Sequence, residues 1–277
     1  MAYCKTLLGF SFCLTSIAWA QAPIATLAEP AASAAIASAQ EPISAASAAA
    51  LAPSSSASLT NNQVANKLRS LYAQAQSWRY KVTGYYLGPL SASAEMQFAP
   101  INSKNYQANL AVTIAGQNAM VMTSKGAIAG TNLIPQNFNE QVMGKAYQVK
   151  TEDGNIVFRG DIRYPVPKQG VQDSISQYYQ LQQQLLSGAL PSTAGASTVV
   201  WLVRPEGLFV WNYEVSDTKT IYHPILGKLE AVHIVPRSLG KGTTKSEMWF
   251  APKLGYAPVR IKMELNDKSW MEMNWLP

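Results

Sequence analysis

Alternation of apolar and polar residues, repeated in one segment after another, constrains this chain more than any other feature. About a dozen such segments lie between residues 78 and 276, and short turns join them. Residues 141–150, 207–215 and 220–223 are among the predicted strands, whereas a looser stretch is expected around Gly126, Gly130 and Pro135. A period of two is typical of strands that bury one face, and short connections are typical of an antiparallel meander. Because so many strands each carry one apolar face, they require two packed sheets or one sheet that is closed or strongly curved.

One stretch, residues 172–188, departs from this pattern and has the 3.6-residue period of an amphipathic helix. Asp173 can accept hydrogen bonds from the free N–H groups of the first helical turn. Gly188 can adopt the left-handed conformation that ends a helix, and Pro191 forbids its continuation. The apolar side of the helix has to be buried on the sheet, and it consists of Ile175, Tyr178, Tyr179, Leu181, Leu185 and Leu186.

We therefore predict a mainly β fold, either an open antiparallel β-barrel or a strongly curved sheet, that holds one central α-helix. The helix is expected to lie across the mouth of the barrel or inside it. A second, short helix is predicted near the start of the domain, where Val64, Leu68, Leu71, Tyr72 and Ala75 recur at helical spacing.

The first 59 residues divide into two segments that are not expected to join this fold. Residues 1–20 are typical of a secretory signal peptide, with Lys5, an apolar run and an Ala-x-Ala cleavage site. The run is too short for a transmembrane span, so no stable span is expected once the signal is removed. Residues 21–59 are rich in Ala, Ser and Pro and predict a disordered tether. Residues 60–277 are then predicted as one β-rich domain in the periplasm.

Composition argues against several classes of protein. Cys4 and Cys13 are the only cysteines, and both lie in the signal, so the mature protein is expected to have no disulfide and no thiolate site. The formal charge of +6 is scattered along the strands rather than clustered, which together with export argues against nucleic-acid binding. The scattered basic residues predict a solvated strand face, with attraction to anionic lipid as the alternative.

Motifs for catalysis or metal binding are scarce. His223 and His233 are the only histidines and no third ligand accompanies them, so we expect structural histidines and neither metal nor cofactor. A Ser-His-Asp set can be assembled on paper from Ser174, His233 and Asp173, but the sequence has no Gly-x-Ser-x-Gly elbow. We predict a protein without catalytic activity, with a hydrolase that uses His233 as an alternative.

Aromatic side chains suggest a binding role. Phe209, Trp211 and Tyr213 share one face of a predicted strand, and Tyr178 and Tyr179 lie on the apolar side of the helix. These five residues are predicted to line a cavity for a lipid or other apolar ligand, unless the central helix fills the barrel and they are plain core. We predict an uncharacterised periplasmic protein that binds an apolar or envelope-derived ligand or assists envelope maintenance. The alternative is a docking module whose basic strands and sheet edge bind another envelope protein.

Three motifs resemble the exported bacterial family catalogued as domain of unknown function 3108. They are QDSISQYYQL at residues 172–181, HPILGKLEAVH at 223–233 and WFAPKLGYAPVRI at 249–261, and shorter matches occur at residues 124–126 and 133–135. The resemblance implies a periplasmic, β-rich, barrel-like domain and implies no activity. Trp249 and Arg260 belong to the third motif, and Asp173 to the first. Arg260 alternates outward from Val259 and Ile261, and its pairing with Asp173 across the contact between helix and sheet is a hypothesis.

Overall fold

The computed structural model describes residues 72, 74–86, 88–237 and 245–277. The predicted signal and tether, and most of the predicted N-terminal helix, lie outside the described residues. Tyr72 is the described part of that helix, and its ring packs against Phe98 with the ring centroids 5.7 Å apart.

Fifteen strands and one α-helix make up the described chain. The strands are β1 (Gln76–Tyr85), β2 (Pro89–Pro100), β3 (Asn105–Ile114), β4 (Gln117–Ala129), β5 (Asn132–Val142), β6 (Lys145–Glu152), β7 (Asn155–Val157), β8 (Arg163–Pro165), β9 (Gln172–Asp173), β10 (Ser197–Arg204), β11 (Gly207–His223), β12 (Gly227–Arg237), β13 (Lys245–Ala251), β14 (Ala257–Asn266) and β15 (Ser269–Leu276). Helix α1 (Ser176–Ser187) connects β9 to β10, and one turn of 3-10 helix (Pro252–Leu254) connects β13 to β14.

All fifteen strands belong to one sheet in the order β8-β7-β6-β5-β4-β3-β2-β1-β15-β14-β13-β12-β11-β10-β9. Neighbouring strands are antiparallel except for the short parallel pair of β9 and β10, and the first strand pairs with the last. The sheet is not closed by hydrogen bonds, because β8 and β9 remain its two ends. The predicted mainly β architecture, an open curved sheet with one central helix, is confirmed.

Two β-bulges explain where the predicted strands were wrong. The region around Gly126 and Gly130 was expected to be loose, but it forms β4 and β5, with a register shift between Lys125 and Gly126. The strand pairing is tight there, since a Cβ added to Gly126 would lie 2.1 Å from the carbonyl oxygen of Ile134. Residues 207–215 and 220–223 were predicted as two strands, but they form the single strand β11, whose alternation is interrupted by a bulge at Ser216.

A tight turn explains a third difference. Residues 141–150 were predicted as one strand-like segment, but Met143 and Gly144, both with positive φ (47° and 80°), end β5 and start β6.

Helix α1 lies inside the curve of the sheet and is buried on both of its sides. The ring of Tyr179 stacks on Trp78 of β1 with centroids 4.9 Å apart. The polar side is used as well: Gln180 accepts a hydrogen bond from the N–H of Leu133 (2.8 Å), and Gln182 donates one to the carbonyl of Gly255 (2.9 Å). Gln180 and Gln182 therefore form hydrogen bonds with backbone groups of the surrounding sheet and its connections. A buried amide group requires such partners.

The two ends of the sheet approach each other over a second, smaller core. It joins side chains from β6 and β7 to side chains from the start of β9 and from β10, and consists of Val149, Ile156, Phe158, Val171 and Val203. Apolar packing rather than strand pairing therefore completes the barrel-like shape on this side.

Candidate functional site

A hydrogen-bonded chain of three side chains fastens α1 to the sheet. The hydroxyl of Ser124 donates to Asp173 Oδ2 (2.5 Å), and Tyr106 Oη lies 2.9 Å from Ser124 Oγ. Because the one proton of Ser124 is used on the carboxylate, Tyr106 is the donor in the second bond. We call Tyr106, Ser124 and Asp173 the anchoring chain.

The other oxygen of Asp173 caps the helix, as the sequence predicted. The N–H groups of Ile175 and Ser176 donate to Oδ1 at 3.0 and 2.8 Å, and the hydroxyl of Ser176 accepts from the Asp173 N–H at 2.8 Å. Gly188 ends the helix with φ 77°, again as predicted. These reciprocal bonds satisfy the free donors of the first helical turn.

The predicted ion pair between Asp173 and Arg260 is wrong. Asp173 is buried on the inner face of the sheet, whereas Arg260 is on the opposite face, where its Nε donates to Asn274 (3.0 Å) and lies 3.7 Å from Glu272. Burial raises the pKa of Asp173, while the hydrogen bonds from Ser124 and the helix N–H groups lower it. The carboxyl is thus held by hydrogen bonds rather than by a cation.

Three of the family-like segments, residues 124–126, 133–135 and 172–181, meet around this chain. Gln172 donates to the carbonyl of Leu133 (2.9 Å). Ser124 and Gly126 belong to the part of β4 that pairs with the start of β5, where Gln136 is the extra residue of a bulge. These three segments therefore mark the attachment of the helix.

The five residues predicted to contact a ligand fall into two groups. Four are buried and belong to the main core: Tyr178, Tyr179, Trp211 and Tyr213. Tyr213 donates its hydroxyl proton to Gln177 of α1 (2.9 Å), and Trp211 is 1% exposed. Phe209 is half-buried and packs against the edge of the core. Ligand binding by these residues stays a prediction, and of the five only Phe209 offers a surface without movement of the core.

A ring of flexible apolar side chains lies on the inner face at the end of the sheet where Phe209 is found. Each follows a core residue by two positions or pairs with one in register, for instance Met122 with Leu110 and Met120 with Val112. All are half-buried and packed against the main core. We call this set the methionine-lined end; it consists of Met120, Met122, Phe209, Met263 and Met271.

A carboxyl group lies on the same inner face. Glu140 follows the buried Phe138 by two positions on β5 and pairs in register with Met122. Burial and then the charge of Glu206 raise the pKa of Glu140 to about 7, against a smaller lowering by Arg204. The side chain therefore changes charge near neutral pH.

A guanidinium group lies close to it. Arg204 follows the buried Leu202 on β10, and its Cζ is 4.8 Å from the ring centroid of Trp211. Its Nε is buried and has no hydrogen-bond partner among the described residues. An unpaired buried donor beside half-buried methionines is a combination that suits the polar end of an amphipathic ligand.

His223 has a structural role, as predicted. Its Nδ1 accepts from the N–H groups of Ile225 and Leu226 at 3.3 and 3.1 Å, and its Nε2 donates to the carbonyl of Trp275 at 2.6 Å. The ring thus ties the β11–β12 turn to β15. Within the described residues no cluster of His, Cys, Asp and Glu could hold a metal ion, and no described helix is long and apolar enough to cross a membrane.

His233 lies on the outer face of β12, between Val232 and Ile234, which point into the main core. Its Nδ1 is 2.9 Å from Ser216 Oγ and its Nε2 is 3.0 Å from Glu247 Oε2. We call Ser216, His233 and Glu247 the outer chain. The set of Ser174, His233 and Asp173 assembled from the sequence is wrong, because Asp173 is bonded at the start of α1 and His233 has other partners.

These features define a β-rich domain whose single sheet wraps one helix and is fastened to it by a buried carboxyl. The chain belongs to the family described as "Protein of unknown function (DUF3108)", whose profile matches residues 79–271. The family resemblance drawn from the motifs is thereby confirmed. No curated protein matches the sequence.

Among solved structures, similarity is found to a crystal structure of a beta-barrel-like protein of domain of unknown function DUF1849 from Brucella abortus. The two chains are 10% identical, with a TM-score of 0.44, and the match covers 72% of this chain and 95% of that chain.

Sequence reasoning missed Glu140, Arg204, Ser216 and Glu247. Ser216 left one signal, since the alternation of β11 breaks at this residue. The others look like ordinary polar strand residues, and only the curvature of the sheet brings them to their partners.

Proposed function

We propose that this domain binds an amphipathic ligand at the methionine-lined end and does so in the periplasm, after removal of the signal peptide. The observation that carries the proposal is the pairing of flexible, half-buried methionines with the unpaired Nε of Arg204. Methionine side chains adapt to apolar chains of varied shape. The ligand's apolar part would lie among them, and its polar part near Arg204 and Glu140.

Helix α1 supports this placement of the ligand. It occupies the interior nearer the other end of the sheet, where Gln180 and Gln182 are bonded to the β4–β5 and β13–β14 connections. Of the four core aromatic residues, Tyr178 and Tyr179 belong to the helix, Tyr213 is hydrogen-bonded to Gln177 of the helix, and the ring of Trp211 packs against Tyr213. The half-buried end is therefore the part of the inner face that a ligand reaches without displacing the helix.

The first experiment is native mass spectrometry of the exported protein purified from the periplasm, followed by organic extraction. A reproducible adduct with a lipid-like mass would support the proposal and name the ligand class. A clean apo mass with nothing released would count against it.

A matched pair of variants on β4 locates the site. Met122 faces the methionine-lined end, and its neighbour Val121 faces outward. We expect Met122→Gln to weaken binding of the uncharged fluorescent probe N-phenyl-1-naphthylamine about tenfold, because a buried amide would face the probe. Val121→Gln should leave binding unchanged. Equal effects of the two substitutions, or none from either, would refute the location.

Docking of an envelope protein is a second candidate, and one observation favours it. Strand β10 pairs with β9 only at Leu202 and Val203, so within the described part of the chain residues 197–201 have no strand on that side, and Val199 is 56% exposed. An open edge of this kind can accept an extended segment of a partner. In Val199→Pro the proline ring replaces an edge N–H and changes the strand locally. Capture of a periplasmic protein by the wild type but not by this variant would support docking at this edge. Equal capture by both would exclude this edge.

A further inference from the structure

We propose that the outer chain is a nucleophilic site at which Ser216 accepts acyl groups from carboxylic esters. The site is on the face of the sheet opposite α1, so it is independent of the ligand site proposed above. It also departs from the expectation of no catalysis that the sequence alone supports.

The hydrogen bonds of the outer chain define which nitrogen carries the proton. Glu247 can only accept when ionised, so the 3.0 Å contact with Nε2 places a proton on that nitrogen. Nδ1 of the neutral ring is then the nearer acceptor for the Ser216 hydroxyl at 2.9 Å, and Asp217 Oδ1 is a second acceptor at 3.2 Å. A hydroxyl that donates to an imidazole, whose other nitrogen donates to a carboxylate, is the arrangement that activates a serine for acyl transfer.

Local structure holds these groups in place. Ser216 is the extra residue of the bulge in β11, and such bulges re-aim a side chain that regular pairing would direct elsewhere. The imidazole of His233 stacks on Trp249, with ring centroids 4.2 Å apart and planes 8° from parallel. On the far side of Trp249 the Arg260 guanidinium is 5.6 Å from the ring centroid. The orientation of the imidazole is therefore fixed on one face by an aromatic ring.

The charged groups facing the imidazole leave it able to act as a base. They are Glu247 and Asp217, which stabilise the protonated ring, and Lys219, which opposes it. Burial is the largest influence and lowers the pKa of His233, so the ring is neutral at pH 7. Lys219 forms an ion pair with Asp217 (3.0 Å), and Asp217 Oδ1 lies 3.2 Å from Ser216 Oγ, so the lysine offsets the negative charge beside the nucleophile.

The reaction needs no further component. As Ser216 Oγ forms a bond to the carbonyl carbon, its proton passes to His233 Nδ1, and Glu247 stabilises the imidazolium through Nε2. The ester C–O bond then breaks, and the proton passes from Nδ1 to the leaving oxygen. Water attacks the acyl-serine by the same route, which regenerates Ser216. Ile221, Leu229 and Trp249 form a buried apolar cluster on the same face as His233 and support the strands that carry the outer chain.

The test uses a fluorophosphonate probe, with which Oγ forms a bond to phosphorus and fluoride leaves. Intact-mass and peptide mapping of the whole exported protein should find one adduct, on Ser216. We expect His233→Gln to slow labelling about 100-fold or more, which is the usual contribution of a positioned general base. The labelling rate of wild type should level off above the lowered pKa of His233, whereas an unassisted serine would keep accelerating through alkaline pH.

Two controls separate reactivity from folding. Ser91→Ala changes an exposed serine on the outer face of β2 and should leave labelling unchanged. Ser216→Ala should abolish labelling while the circular dichroism spectrum stays that of wild type. A folded wild-type protein without an adduct on Ser216, or a labelling rate that His233→Gln does not change, would overturn the proposal.

Discussion

The anchoring chain and the outer chain are alike in design but differ in what surrounds them. Each links a hydroxyl group to a carboxylate over bonds of 3.0 Å or less. The anchoring chain is buried inside the sheet and contains no imidazole, so the Asp173 carboxyl is the final acceptor of its hydrogen bonds. The outer chain has an imidazole in the middle and lies on the outer face of the sheet, where Ser216 and Glu247 are half-buried and His233 is 8% exposed. The comparison teaches that similar bonds fasten a helix in one environment and can pass a proton in another.

The largest expected effect comes from removing the carboxyl of the anchoring chain. Asp173→Ala would leave two helix N–H groups and the hydroxyl of Ser124 unsatisfied in a buried site. We expect the free energy of unfolding to fall by about 3 kcal/mol or more, measured by urea denaturation.

The matched control is Asp173→Asn, which keeps the shape and can bond to the same groups, with its amide donating to Ser124. Because burial disfavours the charged carboxyl, this variant should be as stable as wild type or more stable at pH 8. A loss as large as that of Asp173→Ala would mean that the negative charge itself holds the helix.

The second prediction compares the two serines directly. Ser124→Ala leaves both the Tyr106 hydroxyl and one oxygen of Asp173 without a hydrogen-bond partner. It should lower the free energy of unfolding by about 2 kcal/mol. Ser216→Ala leaves His233 Nδ1 near solvent and should cost about 0.5 kcal/mol or less. Equal losses in urea denaturation would show that the outer chain is as structural as the inner one.

The third prediction concerns acid, because the two regions should respond in opposite directions. The pKa of Asp173 is raised above its ordinary 3.8, so ionisation of this group costs stability, and the cost disappears as the pH falls through the folded-state pKa. The pKa of His233 is lowered below its ordinary 6.5, so its contribution to stability is present above pH 6.5 and is lost as the pH falls through the folded-state pKa.

The opposite responses can be checked by measuring the free energy of unfolding of wild type, Asp173→Asn and His233→Gln between pH 4 and pH 8. The advantage of Asp173→Asn over wild type should shrink towards pH 4. The advantage of wild type over His233→Gln should shrink below pH 6.5. Parallel pH dependence of the two differences would contradict the opposite shifts.

The smallest expected effect concerns Glu140, an inner carboxyl that no helix N–H group holds. With its pKa raised to about 7, Glu140 should become charged as the pH rises from 6 to 8. Binding of N-phenyl-1-naphthylamine should therefore weaken a few-fold over this range, since a charged wall suits an uncharged probe less well. Glu140→Gln should remove the pH dependence, and an unchanged dependence would assign it to another group.

Much of this fold can be predicted from short-range patterns in the sequence. Period-two alternation predicts β1 to β3 and β10 to β15, except that β11 is predicted as two strands, and Asp173 and Gly188 mark the start and end of α1. The alternation fails where a bulge inserts a residue, as at Gln136 in β5 and Ser216 in β11, because the extra residue inverts the facing of the side chains that follow. The burial of the glutamines of α1 was also hidden, since an amide looks like a surface residue until the backbone groups that it satisfies are known.

The candidate sites were less predictable than the fold, for a related reason. Ser216, His233 and Glu247 come from three successive strands, and their contacts depend on the register of β11, β12 and β13. A shift of one residue in any of these pairings would turn one of the three side chains to the other face. The bonds of Asp173 at the start of the helix were predicted correctly because capping is local, whereas its hypothetical pairing with Arg260 required that arginine to depart from the outward facing that the alternation indicates.

The pairing of β1 with β15 has a consequence for how the protein reaches this structure. All other antiparallel pairs form between strands that are neighbours in the chain, so they can assemble as the polypeptide emerges. Strand β1 has to wait for residues 269–276 before it gains its second neighbour, with the whole intervening chain as the loop to be closed. Such a long-range contact adds little to the final entropy cost but slows the last step of folding. Until then the inner faces of both terminal strands remain exposed, and this late intermediate is the state in which the protein most needs protection from aggregation.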